Sequence, residues 1–220
     1  MAPSYGVERG GEEGRLPSGR YVVMDGAGNP VGTEDFRCAP GPAGWRYVAD
    51  IQTRVPEPHR EHVDLVVDAA WRPVRCRIET GEHRILLERR DGWSGQRDGG
   101  PVALPRVDLP DLDYLSPCFN AATANRLGAT AEVEVLFLSP VTLEPRVEPQ
   151  RYEPLGEEEV ETPVGAFRAV RWRYTALRTG FTRDLWVAGE LVVRYADLFE
   201  LVAYDPGATG PVPLGEGPTA

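Results

Sequence analysis

The chain has 220 residues, of which 41% are hydrophobic, and a formal net charge of −10. This length makes one generous domain or two small ones, and it buries enough surface to fold without a disulfide or metal staple. The acidic balance argues against nucleic acid and anionic membrane surfaces as partners, because both repel the chain at long range.

Taken in chain order, residues 1–18 are rich in Gly and Glu with few apolar side chains, and read as a disordered tail. Residues 19–204 read as a single domain dominated by period-2 alternation. GRYVVMDGAGNPVGTEDF reads as strand, turn, strand. GWRYVADIQTR sets Trp45, Tyr47, Ala49 and Ile51 on one face and Arg46, Asp50 and Gln52 on the other. EHVDLVVD, PVRCRIET and HRILLERR follow in quick succession. One helix is expected, in LSPCFNAATANRLG, with Ser116 as its cap, Pro117 at its first position and Gly128 ending it in the left-handed region. Six further alternating runs lie between AEVEVLFL and ELVVRYADLFELV. Residues 205–220 read as a second disordered tail, rich in Pro and Gly. With about ten to twelve strands and no alternation of strand with helix, the expected class is mainly β, a curved antiparallel sheet with one dry face.

Three hairpins have a register that can be written out. With Gly81-Glu82 as a type II′ loop, Glu79 faces Arg84, Ile78 faces Ile85, Arg77 faces Leu86, Cys76 faces Leu87 and Arg75 faces Glu88. That puts apolar side chains on one face and two opposite-charge pairs on the other, so a one-residue slip carries charges into the core. Asp91-Gly92 predicts a type I′ turn placing Trp93 opposite Arg90 in cation–π contact. A turn at Pro163-Val164 sets Glu159 opposite Arg168, which makes the run Glu157–Glu159 a salt-bridged surface.

Chemical motifs are weak. Gly92-Trp93-Ser94-Gly95-Gln96 falls one residue short of a nucleophile elbow, no helix follows it, and His59, His62 and His83 all precede Ser94, so it reads as part of a hairpin. On a strand, His59 and His62 point to opposite faces, which spoils metal ligation. GAGNPVG resembles a phosphate loop only in its glycines. Cys38, Cys76 and Cys118 form neither a disulfide framework nor a zinc pattern. Asp108, Asp111 and Asp113 cluster carboxylates that could serve acid–base chemistry or hold a cation, or simply form a polar loop. No cofactor or metal is expected. The N-terminal stretch lacks the apolar segment of a signal peptide, and no apolar run is long enough to span a membrane, so the expected location is cytoplasmic.

Several stretches together resemble the bacterial family known as putative glycolipid-binding. They are Asp111 to Tyr114, Ser116 to Leu127, Gln150 to Tyr152, Phe181 to Val187 and Val192 to Phe199. The resemblance implies a spiral β-roll, or incomplete barrel, wrapping one central helix. It also implies an apolar small molecule or glycolipid as partner, and it supplies no catalytic residues. The aromatic side chains then become the candidate ligand contacts: Trp45, Tyr47, Tyr114, Phe119, Tyr152, Trp172, Tyr174, Phe181 and Trp186. Two alternatives stay open. One is an enzyme on the same scaffold, using the acidic loop 108–113 or the histidines. The other is a structural protein with a filled core.

Overall fold

Each alternating run becomes a strand whose apolar positions face inward. The computed structural model describes residues 15–214 except 42, 56 and 141; the expected tails at 1–14 and 215–220 lie outside the described residues. The first half holds β1 (Ser18–Met24), β2 (Pro30–Gly41), β3 (Gly44–Thr53), β4 (His59–Asp68), β5 (Pro73–Glu79), β6 (Arg84–Arg89), β7 (Trp93–Arg97) and β8 (Gly100–Pro101). The second holds β9 (Asp111–Asp113), α1 (Pro117–Leu127), β10 (Ala131–Leu138), β11 (Pro145–Thr162), β12 (Gly165–Ala176), β13 (Phe181–Ala188), β14 (Leu191–Tyr195) and β15 (Phe199–Asp205).

These fifteen strands, counted among the described residues, form one sheet in the order β8-β7-β6-β5-β4-β3-β2-β1-β15-β14-β13-β12-β11-β10-β9. The count exceeds the expected ten to twelve because β7, β8 and β9 are short and lie in a breaker-rich stretch that carries no alternation of its own. The sheet is open: β8 and β9 are its two edges. The segment before β9 nonetheless runs beside β7, where the Trp93 N–H donates to Val107 O at 2.7 Å and Trp93 Nε1 donates to Leu109 O at 2.9 Å.

Every pairing is antiparallel except β9 with β10. A parallel pair needs a crossover connection, and α1 supplies it. The helix is buried from Pro117 to Ala124, among the inward side chains of the sheet. Gly128 ends it at φ 63°, donating to Ala124 O at 3.1 Å.

The first hairpin has the expected register from Arg75↔Glu88 to Glu79↔Arg84. Its turn differs. Gly81 is not in the positive-φ region that type II′ requires. Instead Thr80 Oγ1 accepts the His83 N–H at 3.0 Å and sets the loop conformation. The second hairpin has a three-residue loop: Arg89, not Arg90, pairs with Trp93, and the Arg89 guanidinium sits 5.9 Å from the indole. Glu159 faces Arg168 as written.

The described chain continues past residue 204. The Ala208 N–H donates to Arg15 O at 3.0 Å and the Leu214 N–H donates to Ala166 O at 2.6 Å, so residues 206–214 lie against the sheet with Pro213 buried. No helix among the described residues is long and apolar enough to cross a membrane.

Candidate functional site

Alternation on β2 turns Glu34, Phe36 and Cys38 inward, and on β4 it turns Glu61, Val63, Leu65 and Val67 inward. Two carboxyls therefore enter the dry side of the sheet. They share one row: Tyr21 pairs with Glu34, Glu34 with Ile51, and Ile51 with Glu61 across β1 to β4. Glu34 is 1% exposed and Glu61 is 6% exposed. A buried carboxyl is costly without partners. The partners come from the chain between β9 and α1, which crosses over this row. Tyr114 donates its hydroxyl to Glu61 Oε2 at 2.6 Å, and Ser116 donates its hydroxyl to Glu34 Oε1 at 2.8 Å.

Burial pushes the Glu34 carboxyl up to about 8, against the Ser116 hydrogen bond and with a further push from Glu61. At neutral pH Glu34 is thus a protonated acid. Its Oε1 accepts from Ser116, and its Oε2 is buried with no protein partner.

One row nearer the end of the sheet, Gly32 pairs with Thr53 and Thr53 with His59. His59 Nδ1 lies 2.9 Å from Glu57 O, and Nε2 lies 3.1 Å from Glu61 Oε1. Thr53 Oγ1 is 3.1 Å and 3.0 Å from the two ring nitrogens. That near-equal spacing directs the hydroxyl at neither lone pair, so the group is not an aligned nucleophile and base. A cleft of about 1090 Å³ opens here. Val22, Pro30, Val31 and Pro58 give it apolar surface, while Gln52, Thr53, Arg54, His59, Arg60 and Glu61 give it hydrogen-bonding groups.

The other chemical candidates are separated by their partners. Asp108 is exposed and bidentate to Arg106 at 2.7 Å, which holds its carboxyl down at about 2. Asp111 is buried against Arg126. Asp113 accepts from Gln150 Nε2 at 2.5 Å, and burial pushes it up to about 6. His62 pairs with Asp50 and His83 with Asp98, away from His59. Among the described residues no three His, Cys, Asp or Glu side chains are grouped to hold a metal ion. Cys38, Cys76 and Cys118 are buried and unbridged. Ser94 is exposed on β7, opposite Glu88. In GAGNPVG the backbone N–H groups of Ala27 and Asn29 donate to the Asp25 carboxylate at 2.9 and 3.0 Å, so they are not offered to a phosphate.

The nine aromatic candidates fall into several places. Tyr152, Trp172, Tyr174 and Phe181 form a linked edge-to-face cluster on β11, β12 and β13, with Tyr152–Tyr174 centroids 5.4 Å apart. Tyr152 OH accepts from Asn120 Nδ2 at 2.8 Å. Tyr114 and Phe119 meet edge to face at 6.2 Å. Tyr47 is buried and donates to Glu190 O at 3.0 Å. Trp45 is half-buried and stacks on Trp71 at 5.6 Å. Trp186 points to the outer face, where Nε1 donates to Glu158 and Arg171 sits 5.3 Å from the ring. Of these nine, only Tyr114 touches a cleft residue by hydrogen bond, through Glu61. Sequence reasoning missed Glu34, Glu61 and Thr53. Their signal was available: each is a polar residue at an inward position of an alternating strand.

An open, strongly curved sheet coiled about one helix defines a β-barrel-like class of protein. Residues 27–200 match the family described as "Putative glycolipid-binding", and the chain belongs to that family. A crystal structure of a DUF1089-family protein from Pseudomonas aeruginosa is similar, with a TM-score of 0.57 and 22% identity, covering 76% of this chain and 91% of that one. So is a β-barrel-like protein of the DUF1849 domain from Brucella abortus, with a TM-score of 0.52 and 13% identity, covering 86% of this chain and 97% of that one. At these identities the likeness is one of fold. No curated protein matches the chain.

Proposed function

We propose that the protein binds an amphiphile of the glycolipid kind, with the polar headgroup in the cleft at the β2–β4 end of the roll. The observation that carries this reading is the composition of that cleft. It sets Val22, Pro30, Val31 and Pro58 beside Gln52, Thr53, His59 and Glu61. A sugar offers hydroxyls that both donate and accept. Glu61 supplies acceptor oxygens, Arg54 and Arg60 supply donors, and Thr53 and Gln52 supply both. Roughly 300–1,000 Å³ is usual for a small-molecule site, so the cleft has room for a headgroup and the start of a chain. Each methylene buried there contributes about 0.8 kcal/mol. Family membership supports the same ligand class.

In this reading Tyr114 fixes Glu61 at the headgroup. Trp172, Tyr174 and Phe181, with Tyr152 behind them, are the apolar contacts proposed for a chain entering the roll. Trp45, Tyr47, Phe119 and Trp186 complete the proposed aromatic set. The acidic-loop enzyme reading has no comparable support, because Asp108, Asp111 and Asp113 each have a separate partner. The test is native mass spectrometry of protein purified without detergent, followed by organic extraction. A stoichiometric mass excess that leaves with solvent and contains a glycolipid supports the reading. A bare mass, with no uptake of octyl glucoside or of a fluorescent fatty acid, overturns it.

A further inference from the structure

Glu34 is the one inward carboxyl of the row whose second oxygen is both buried and without a partner. Buried polar groups in native proteins are almost always paired, and an exception calls for an explanation. Its surroundings account for one oxygen only. Ser116, at the start of α1, donates to Oε1, and Cys118 lies 3.3 Å from that same hydroxyl. Tyr21 on β1 is its cross-strand neighbour, and Glu61 on β4 is the charged group acting on it. Glu61 also lines the cleft, as do Gly32 and Thr33, the two residues that precede Glu34 on β2. The carboxyl therefore lies one row beneath the cleft floor.

We propose that Glu34 is the inner, specificity-determining contact of the cleft, donating a hydrogen bond from its free oxygen to an uncharged, acceptor-bearing group of the ligand such as a sugar hydroxyl or ring oxygen. This inference rests on the headgroup reading above. A protonated carboxyl is a donor, so the position selects an acceptor. It disfavours a phosphate or carboxylate headgroup, because an anion would lie beside the Glu61 carboxyl. Raising the pH ionises Glu34, removes the donor and sets a buried negative charge against the ligand's oxygen.

The test titrates octyl glucoside, below its micelle concentration, into wild type, Glu34→Gln and Glu34→Leu by calorimetry from about pH 6 to about pH 9.5. Groups common to wild type and Glu34→Gln cancel in the comparison, and the amide supplies an N–H donor that does not titrate. The expected result has three parts. Wild-type affinity falls by about tenfold across the range, the profile of Glu34→Gln is flat by comparison, and Glu34→Leu binds about tenfold more weakly than wild type at the acid end. Wild-type binding whose pH profile is shared by Glu34→Gln, with Glu34→Leu unaffected, overturns the role of Glu34 and leaves the cleft reading standing. No binding by wild type at any pH overturns the headgroup reading, and this inference with it.

Discussion

Ser116 donates its hydroxyl to Glu34 Oε1, 2.8 Å away, although it stands at the position from which a serine ordinarily caps a helix. Its backbone has the extended conformation of a cap, φ −141° and ψ 139°, yet the side chain makes no cap hydrogen bond. The hydroxyl that could satisfy the first turn of α1 instead ties the helix start to the sheet. Tyr114, two residues earlier, does the same to Glu61. The two bonds clamp the segment preceding the helix across β2 to β4.

Replacing Ser116 by Ala removes the partner of Glu34 Oε1 and leaves that oxygen buried and unpaired. The expected cost is about 1–3 kcal/mol in urea unfolding. Because no cap bond is lost, most of this cost disappears in a Glu34→Leu background. A double-mutant cycle with no coupling between the two positions would show that Ser116 acts elsewhere.

The raised Glu34 pKa has a definite sign. Folded Glu34 holds its proton up to about pH 8, while the unfolded group releases it near its model value of 4.5. The native state therefore binds more protons between these limits, and the contribution of Glu34 to stability is lost as pH rises through that window. Glu34→Gln is expected to gain a few kcal/mol over wild type at pH 8 and above, and little near pH 4. Chemical denaturation of both proteins across this range measures the difference. A constant offset at all pH values would contradict the account.

Asp111 and Arg126 make the buried ion pair that anchors the last turn of α1 to β9. Arg126→Ala strands the carboxylate and should cost about 3–5 kcal/mol, whereas replacing the pair together by Leu and Met should be close to neutral. Thermal unfolding of the two variants separates these cases. Similar losses in both would mean that packing of the Arg126 stem, not charge, is what the site needs.

Gly32 admits no side chain, since a Cβ there would stand 2.1 Å from Gln52 O and 2.9 Å from Thr53 Cα. Gly32→Ala must push β2 away from β3 at the cleft floor. It is expected to destabilise by more than about 1–3 kcal/mol and to weaken octyl glucoside binding in the same variant. Unchanged stability would show that the two strands can part freely at this point.

The hairpin around Gly81 was legible because two independent constraints coincide there. Apolar side chains and opposite charges both demand the same register. Its turn type was not legible, since Thr80 sets the loop through a side-chain hydrogen bond that no dipeptide rule contains. Trp93 was shifted by one partner for a related reason: a two-residue and a three-residue loop share the same Asp-Gly signal. The strands β7 to β9 escaped because their order depends on partners elsewhere in the sheet rather than on their own pattern. The clamp on Glu34 and Glu61 was hidden for the deepest reason. Alternation tells which side chains face inward, and the identity of the segment that crosses above them is a matter of tertiary path. Tyr114 was singled out for its ring, whereas its hydroxyl is what reaches the cleft.

The first and last strands lie side by side in the middle of the sheet, β1 between β2 and β15. Almost every other pairing joins neighbours in the chain and can close as soon as its turn is made. The β1–β15 seam alone must wait for nearly the entire polypeptide. Until then β1 presents an unpaired edge, which is a template for association with another chain. The seam carries the long-range loop-closure cost of the fold, and it is the natural candidate for the slow step of folding. With Arg15 and Ala208 in hydrogen-bond contact, the two ends of the described chain could be joined by a short linker and new termini opened within residues 102–106. Such a permutant would turn the slowest contact into a local hairpin, and its refolding rate would measure how much of the barrier the seam holds.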